Sequence, residues 1–148
     1  MTGLNYDRAV IERRLVHLLE SVAVLRELSS EPVEHFRTDR RARWALERGL
    51  QTCIQAVLDI ASHISAASTE TVPDQYRTGI LLLADLGVMP HAFAERIAPM
   101  AGLRNILVHE YMTVDVEQLH SLIADRLKDF NEFSRYIQQH LEEQESDS

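Results

Sequence analysis

The sequence between residues 39 and 65 reads DRRARWALERGLQTCIQAVLDIASHIS and predicts a single long helix. It starts with basic residues and becomes apolar, as expected for a helix that enters a protein core. The apolar side chains are Trp44, Leu46, Leu50, Ile54, Val57, Leu58, Ile60 and Ile64. Thr38 or Asp39 can cap the first turn. At 1.5 Å per residue the helix would be roughly 40 Å long, so we expect it to form the centre of a helical bundle.

The segments on both sides of this helix are also predicted to be helical. Residues 6–28 carry apolar side chains three, four and seven positions apart, and Pro32 marks the end of that helix. The residues that follow, including His35 and Phe36, are expected to form a short connector. The later predicted helices are 74–86, closed by Gly87, a segment from Pro90 to Glu110 that kinks or restarts near Pro99 and Gly102, and a last helix capped by Asp115.

These patterns together predict the fold class. No stretch alternates with period two for long enough to form a strand, so we predict an all-α bundle of about five helices. The length of 148 residues and the lack of a linker indicate a single domain over residues 1–148, with frayed tails at 1–5 and 142–148. The composition, with 45% hydrophobic and 26% charged residues, is that of a globular protein and excludes wholesale disorder.

The cysteine content and the N-terminal residues bear on location. The single cysteine, Cys53, cannot form an intramolecular disulfide, and its apolar neighbours predict a buried side chain and not a nucleophile. Residues 1–14 contain five charged side chains and lack the apolar core of a signal peptide. The longest apolar stretch, 80–84, is far too short to span a bilayer. We therefore expect a cytoplasmic protein that does not insert into a membrane.

The net charge of −8 opposes nucleic-acid binding unless a local basic patch is present. One candidate patch lies around the start of the central helix, and arginine suits phosphate recognition because its guanidinium group is a planar fork. We call this set the arginine patch. Its members are Arg37, Arg40, Arg41, Arg43 and Arg48. Trp44 lies among them and could stack on a base, but we expect it to anchor the helix in the core.

The stretch at residues 103–111 reads LRNILVHEY, an apolar helical turn between polar side chains. Arg104 supplies a permanent charge that matches phosphate oxygens, and His109 can exchange a proton near neutral pH. Asn105 lies four residues before His109 and shares its helix face. Arg104 and His109 lie about 140° apart around an ideal helix. A kink, a helix end or a second copy of the segment must therefore bring them together.

This pattern resembles the motif of the HEPN superfamily and, more narrowly, of the HepT toxin family, Arg-x4-His-x-Tyr. Arg104, Asn105, His109 and Tyr111 match the motif without a departure. The resemblance covers roughly residues 6–138. The other segments that look like the family are 48–51, 58–63, 87–90 and 100–105, followed by Asp115. The resemblance implies an HEPN-like bundle that forms a homodimer, with the two motifs facing each other across a cleft.

The resemblance also implies an activity, that of a metal-independent endoribonuclease without a cofactor, which acts as the toxin of a toxin–antitoxin pair. His109 would be the general base that takes the proton of an RNA 2′-hydroxyl, and Arg104 would stabilise the charge on the phosphate. Asn105 would position the phosphate or orient His109. Because the 2′-hydroxyl is the nucleophile, the product would carry a cyclic phosphate. The arginine patch would guide the RNA to this site.

A partner is implied as well, an MntA-type nucleotidyltransferase antitoxin that transfers AMP from ATP to Tyr111. An added phosphate and base two residues from His109 would obstruct RNA entry by charge and by bulk. The residues alone allow a plainer alternative, in which Tyr111 packs its ring at a helix end and leaves its hydroxyl in water.

Asp59 and His63 lie four residues apart on the central helix and share a face with Gln55. We predict that they support the site as a carboxylate–histidine pair, and the alternative is a buried pair satisfied internally. No third ligand is suitably spaced, so no metal site is predicted. The remaining histidines are expected at the surface. They are His17, His35, His91, His120 and His140.

A second class of function stays open at this point. The chain could be a HEPN interaction module that does not cleave RNA and only binds a nucleotidyltransferase partner or a nucleotide. The intact pair of Arg104 and His109 favours the ribonuclease, because a module that only binds does not need both residues.

Overall fold

The structure is a computed structural model, and it describes residues 6–68, 75–109 and 115–146. The regular secondary structure of these residues is helical throughout, which confirms the all-α prediction. Seven helices occur in them, where about five were expected. They are α1 (Arg8–Ser29), α2 (Val33–Thr38), α3 (Arg40–Ser68), α4 (Tyr76–Asp85), α5 (His91–Ile97), α6 (Met100–His109) and α7 (Val116–Ser146). Within the same residues, no helix is long and apolar enough to cross a membrane.

The predicted central helix is α3, which contacts α1, α2, α4, α6 and α7. Its first turn is capped by Asp39, whose Oδ1 accepts the backbone N–H groups of Arg41 and Ala42 at 2.9 and 3.3 Å. Its aliphatic side chains are buried in the core. They are Leu46, Leu50, Ile54, Val57, Leu58, Ile60 and Ile64. Each contributes about 1.5–3 kcal/mol when removed from water, so the other helices assemble around α3.

The fold requires glycine at two positions. A Cβ atom at Gly49 would lie 2.9 Å from Cδ2 of Leu25, whose side chain is fully buried, so glycine permits the close approach of α1 to α3. Gly87 has a φ of 79°, the left-handed conformation that ends α4 as predicted. The two positions set the packing of α1 on α3 and the turn that leads to α5.

The segment predicted to be a connector before the central helix forms the short helix α2. Pro32 precedes it with a φ of −62°, which suits entry into a helix. Phe36 is 1% exposed, and its ring centroid lies 5.5 Å from that of His120 on α7. Six residues are too few to hold a helix by themselves. The packing of Phe36 therefore stabilises α2, and no local pattern could have predicted it.

Two further boundaries agree with the sequence. The break expected near Pro99 and Gly102 is a restart, because α5 and α6 are separate helices. Asp115 caps α7 as predicted, since its Oδ1 accepts the backbone N–H of Glu117 at 2.8 Å. The restart at Pro99 makes α6 a short, separate helix, and α6 carries the predicted catalytic motif.

The C-terminal residues correct a prediction. Residues 142–146, expected to be part of a frayed tail, continue α7 to Ser146. Leu141 is buried, and its carbonyl oxygen accepts Nη1 of Arg8 at 2.8 Å, while Arg8 also lies 3.4 Å from Glu145. These contacts join the end of α7 to the start of α1. The predicted tails at 1–5 and 147–148 lie outside the described residues.

Two of the buried titratable side chains bear on the sequence predictions, one as expected and one not. Cys53 is fully buried as predicted, and its burial raises the pKa of the thiol to about 12. His140 was expected at the surface but is 6% exposed, and its burial lowers the pKa of the imidazole. Its ring centroid lies 5.9 Å from that of Tyr6. The Tyr6 hydroxyl and Nε2 of His140 have no hydrogen-bond partner among the described residues.

Candidate active site

The guanidinium group of Arg104 contacts three neighbouring side chains, one on α3, one on α4 and one on its own helix, α6. Its Nε donates to Oε1 of Gln55 on α3 at 3.0 Å, and its Nη1 donates to Oδ1 of Asn105 at 3.1 Å. Its central carbon lies 5.6 Å from the ring centroid of Tyr76 on α4, a cation–π distance. These two hydrogen bonds use two of the five N–H donors of the group. The remaining donors can bind an anion such as a phosphate.

Gln55 is itself positioned by the predicted supporting residue Asp59. Its Nε2 donates to Oδ1 of Asp59 at 2.8 Å, and the second carboxylate oxygen lies 3.2 Å from Nη1 of Arg14 on α1. The Asp59 carboxylate accepts hydrogen bonds and the Arg104 guanidinium donates them. The Gln55 amide therefore turns its NH2 group toward Asp59 and its oxygen toward Arg104. Asp59 therefore reaches Arg104 through Gln55, a link that joins α1, α3 and α6.

The predicted pair of Asp59 and His63 is not joined in the described structure. His63 Nε2 instead accepts the backbone N–H of Asp7 at 3.3 Å, at the start of α1. The two residues share a face of α3, but that face is wide enough for them to meet different neighbours. His63 thus lies at the N-terminus of α1, and the hydrogen bonds around Arg104 are made by other residues.

His109 is the last residue of α6. Its side chain lies outside the described residues, as do all atoms of Glu110 and Tyr111. Because α6 is one continuous helix from Met100 to His109, no kink brings His109 to the side of Arg104. Of the three ways of joining them that the sequence left open, the helix end and a second copy of the segment remain.

A groove between α3 and α6 runs along the first part of α3 and ends at Gln51, one helical turn before Gln55. It encloses about 380 Å³, and we call it the α3–α6 groove. Its lining residues are Trp44, Glu47, Arg48, Gln51, Leu107 and Val108. Since Arg104 meets Gln55 while Leu107 and Val108 meet earlier residues of α3, the two helices are antiparallel here. The end of α6 that carries His109 therefore lies toward the arginine-rich end of α3.

The position of Trp44 differs from the sequence prediction. It was expected to anchor the core, yet its side chain is 64% exposed. Trp44 and the fully buried Leu46 are two residues apart, about 200° around the helix, so the two cannot share one buried face. The indole of Trp44 instead lies on the face of α3 that borders the α3–α6 groove.

The arginine patch divides into paired and unpaired members. Arg37 forms ion pairs with Glu34 and Glu117, and Arg43 lies 3.1 Å from Glu47. The unpaired members are Arg40, Arg41 and Arg48, which are exposed and form no ion pair within the described part of the chain. Of the whole patch, Arg48 is the residue that lines the α3–α6 groove. The patch is therefore less basic than its five arginines suggest.

Two further cavities flank Arg104. A pocket of about 150 Å³ between α1 and α3 is lined by Arg14, His17, Gln55 and other polar residues. An open groove of about 690 Å³ beyond α6 is lined by Tyr76 and Asn105 among others. The neighbours of Arg104 thus face solvent-accessible space on both sides. Within the described ranges, no three histidine, cysteine or acidic side chains cluster closely enough to hold a metal ion.

Three residues around Arg104 were not predicted as site residues. Gln55 was expected only to share a helix face with Asp59, and that four-residue spacing is the signal that could have found it. Arg14 and Tyr76 lie 90 and 28 positions before Arg104 in the sequence. Because only the packing of α1 and α4 brings them to the site, no sequence spacing indicates them.

Comparisons with known proteins identify the family of this chain. A family model described as "Ribonuclease HepT-like" matches residues 18–137. The chain is 30% identical over 98 residues to the mRNA nuclease HepT of Shewanella oneidensis, and this match covers 66% of this chain and 74% of that protein. It is 28% identical over 137 residues to the tRNA nuclease HepT of Aphanizomenon flos-aquae, and this match covers 93% of each protein. The family model spans most of the chain.

Solved structures show the same fold. The tri-AMPylated HEPN toxin of Shewanella oneidensis, in complex with its MNT antitoxin, superposes with a TM-score of 0.79 at 23% identity. The match covers 90% of this chain and 99% of that one. A cytosolic protein of unknown function from Bacillus subtilis superposes with a TM-score of 0.80 at 21% identity, over 95% of this chain and 94% of that one. With the family model spanning most of its length and the motif intact around Arg104, this chain belongs to the HepT-like ribonuclease family.

Proposed function

We propose that this chain is a metal-independent endoribonuclease and the toxin of a toxin–antitoxin pair. The observation that carries the proposal is the fixed guanidinium of Arg104, held by Gln55, Asn105 and Tyr76 at the first position of the family motif. A cation that is oriented before the substrate binds can stabilise charge as it develops in a transition state. The two nuclease relatives are named for different RNAs, so the proposal specifies RNA as the substrate class and no particular RNA.

The proposed reaction uses the ribose itself as the nucleophile. His109 takes the proton from a 2′-hydroxyl, the 2′-oxygen forms a bond to the adjacent phosphorus, and the bond from phosphorus to the 5′-oxygen breaks. The leaving 5′-oxygen takes up a proton, and the other product carries a 2′,3′-cyclic phosphate. Arg104 stabilises the charge on the phosphate oxygens, and Asn105 contacts the phosphate or orients His109. Asp59 supports the site by orienting Gln55.

We further propose that the active form is a homodimer. In one continuous helix, His109 lies about 140° around from Arg104, so a second copy of α6 is the simplest source of the missing partner. Ile106 supports this, because it is 40% exposed and lies three residues before His109, on the same helix face. A second copy of α6 packed on this face would remove the exposed part of Ile106 from water.

The proposed regulation is AMPylation of Tyr111 by an MntA-type nucleotidyltransferase antitoxin. Its support is the position of Tyr111 in the motif and the similar toxin of Shewanella oneidensis, which is tri-AMPylated and bound to an MNT antitoxin. Negative charge two residues from His109 would repel the phosphates of RNA. We place this exchange in the cytoplasm, where both RNA and ATP are present.

The test of the proposed activity is cleavage of RNA by the purified chain in the presence of a metal chelator. The wild type should cleave RNA but not DNA of the same sequence and leave cyclic-phosphate ends, while His109→Ala and Arg104→Ala should be inactive. Arg135→Ala is the matched control, since Arg135 is 75% exposed on α7, outside the Arg104 contacts, and it should cleave like the wild type. A folded, dimeric His109→Ala that still cleaves would refute the mechanism. An unmodified wild type that leaves total RNA intact would favour a non-catalytic interaction module.

The modification has a separate test. Tyr111→Phe removes only the acceptor oxygen, so it should remain active and escape the antitoxin. Mass spectrometry of the wild type co-expressed with its partner should show additions of the mass of AMP. If the same additions persist in Tyr111→Phe, the assignment of the site is wrong.

A further inference from the structure

The side chain of Trp44 is a feature that the proposed reaction does not use. It is the single tryptophan of the chain, and 64% of it is exposed. It borders the α3–α6 groove together with Arg48, Leu107 and Val108. A large aromatic side chain is thus left in water beside the α3–α6 groove, where its ring is available to an occupant of the groove.

The charges around Trp44 indicate which kind of occupant. Arg41 and Arg48 lie three residues before and four residues after it, and so on the same face of α3. Both are exposed and have no ion pair in the described part of the chain, whereas Arg37 and Arg43 are paired with glutamates. Glu47 also lines the groove, but its carboxylate is paired with Arg43. In a chain of net charge −8, this face is therefore locally positive. An aromatic ring between cationic side chains suits a base and its flanking phosphates.

The fold also fixes the distance between Trp44 and the contact of Arg104 with α3. Trp44 precedes Gln55 by eleven residues, about 16 Å along α3, and Gln55 bonds Arg104. A base at Trp44 therefore lies away from the guanidinium of Arg104. Because α6 is antiparallel to α3, a strand in the α3–α6 groove would pass the end of α6 that carries His109.

We propose that Trp44 stacks on one nucleobase of the bound RNA while Arg41 and Arg48 contact the neighbouring phosphates. The inference rests on the proposed function and adds a second point of substrate binding, away from the guanidinium of Arg104. The positive charge of this face also favours RNA over a second copy of the chain as the molecule that binds there. In a twofold contact centred on Trp44, the exposed arginines of the two copies would be brought close together, and like charges repel.

Intrinsic fluorescence tests the stacking directly, because Trp44 is the only tryptophan present. The full chain carrying His109→Ala, which leaves RNA intact under the proposed mechanism, is titrated with a single-stranded RNA and with an abasic oligonucleotide of equal length and charge. We expect the RNA to quench the emission of Trp44 and the abasic strand to bind more weakly without that quenching. Equal effects of both strands, or no change with RNA, would overturn the inference.

Variants give a second readout of the same contact. In the His109→Ala chain, Trp44→Ala should weaken RNA binding about 5- to 150-fold, the usual effect of losing one stacked base, and Trp44→Phe should retain most of the affinity. Val24→Ala is the matched control, because Val24 is an exposed apolar residue (51%) on α1 and should bind like the parent. Unchanged affinity in a folded Trp44→Ala would overturn the inference.

The oligomeric state is measured on the same samples by light scattering. If Trp44→Ala dissociates the dimer and RNA binding falls only in proportion, Trp44 contacts a second copy and the inference is wrong. Cleavage by the wild type separates the two proposals. If RNA is cleaved but does not quench Trp44, the proposed function is supported and the stacking on Trp44 is refuted. If RNA quenches Trp44 but is not cleaved, the stacking is supported and the proposed activity is refuted.

Discussion

Replacing Gln55 by alanine should slow RNA cleavage while leaving the fold intact. The amide of Gln55 connects the guanidinium of Arg104, at 3.0 Å, to the carboxylate of Asp59, at 2.8 Å. Alanine removes both of these hydrogen bonds, together with the longer one that Nε2 of Gln55 donates to the Tyr76 hydroxyl at 3.5 Å. Arg104 would keep its contacts with Asn105 and Tyr76, so its side chain would remain near the site but lose the contact that fixes its direction.

The size of the effect follows from the hydrogen bonds that are lost. A hydrogen bond to a charged group contributes about 1.5–3 kcal/mol, and each 1.36 kcal/mol of lost transition-state stabilisation slows a reaction by about tenfold. If the orientation of Arg104 depends mainly on Gln55, kcat/KM should fall roughly 10- to 100-fold. The free energy of unfolding should fall by only about 1 kcal/mol, because Gln55 is half-buried and Asp59 keeps its ion pair with Arg14.

The assay is single-turnover cleavage of a labelled RNA, followed together with urea unfolding of each variant. Gln139→Ala is the matched control, because Gln139 is an exposed glutamine of α7 outside the contacts of Arg104. Gln139→Ala should therefore cleave at nearly the wild-type rate. Arg104→Lys, which retains a positive charge, and its combination with Gln55→Ala complete a double-mutant cycle.

Two results would refute this reasoning. One is a Gln55→Ala chain that cleaves like the wild type while Arg104→Ala is inactive, which would mean that Arg104 needs no positioning by Gln55. The other is a further 10- to 100-fold loss, about the single-variant effect, when Gln55→Ala is added to Arg104→Lys. In that case Gln55 would act on the substrate independently of Arg104.

Three other predictions concern the core. Burial lowers the pKa of His140 in the folded state, so the unfolded chain binds more protons below about pH 6.5 and stability should fall there; His140→Phe, beside the ring of Tyr6, should reduce this loss in urea unfolding measured across pH. Gly49→Val places atoms against the buried Leu25 and should lower the free energy of unfolding by about 1–3 kcal/mol, as a shifted urea midpoint would reveal. Cys53, with its pKa raised to about 12, should react with a thiol reagent only after unfolding; rapid labelling of the folded chain would contradict its burial.

Local signals determined most of the helix boundaries before any tertiary contact was known. The Asp39 cap, the left-handed Gly87, the restart at Pro99 and the Asp115 cap all lie where the sequence predicts them. A cap or a break depends on the hydrogen-bonding groups and backbone angles of a few consecutive residues. The family motif is likewise a local pattern, so the sequence alone identified Arg104 as a candidate site residue.

Tertiary packing decided what those signals could not. The helix α2 depends on the burial of Phe36 beside α7, and the burial of His140 depends on α7 lying against the start of α1. The exposure of Trp44 follows from which face of α3 the other helices cover. Gln55 meets Arg104 across 49 positions of sequence. Such contacts arise from the way separate helices pack together, so residues far apart in the chain determine them jointly and no single segment of the sequence encodes them.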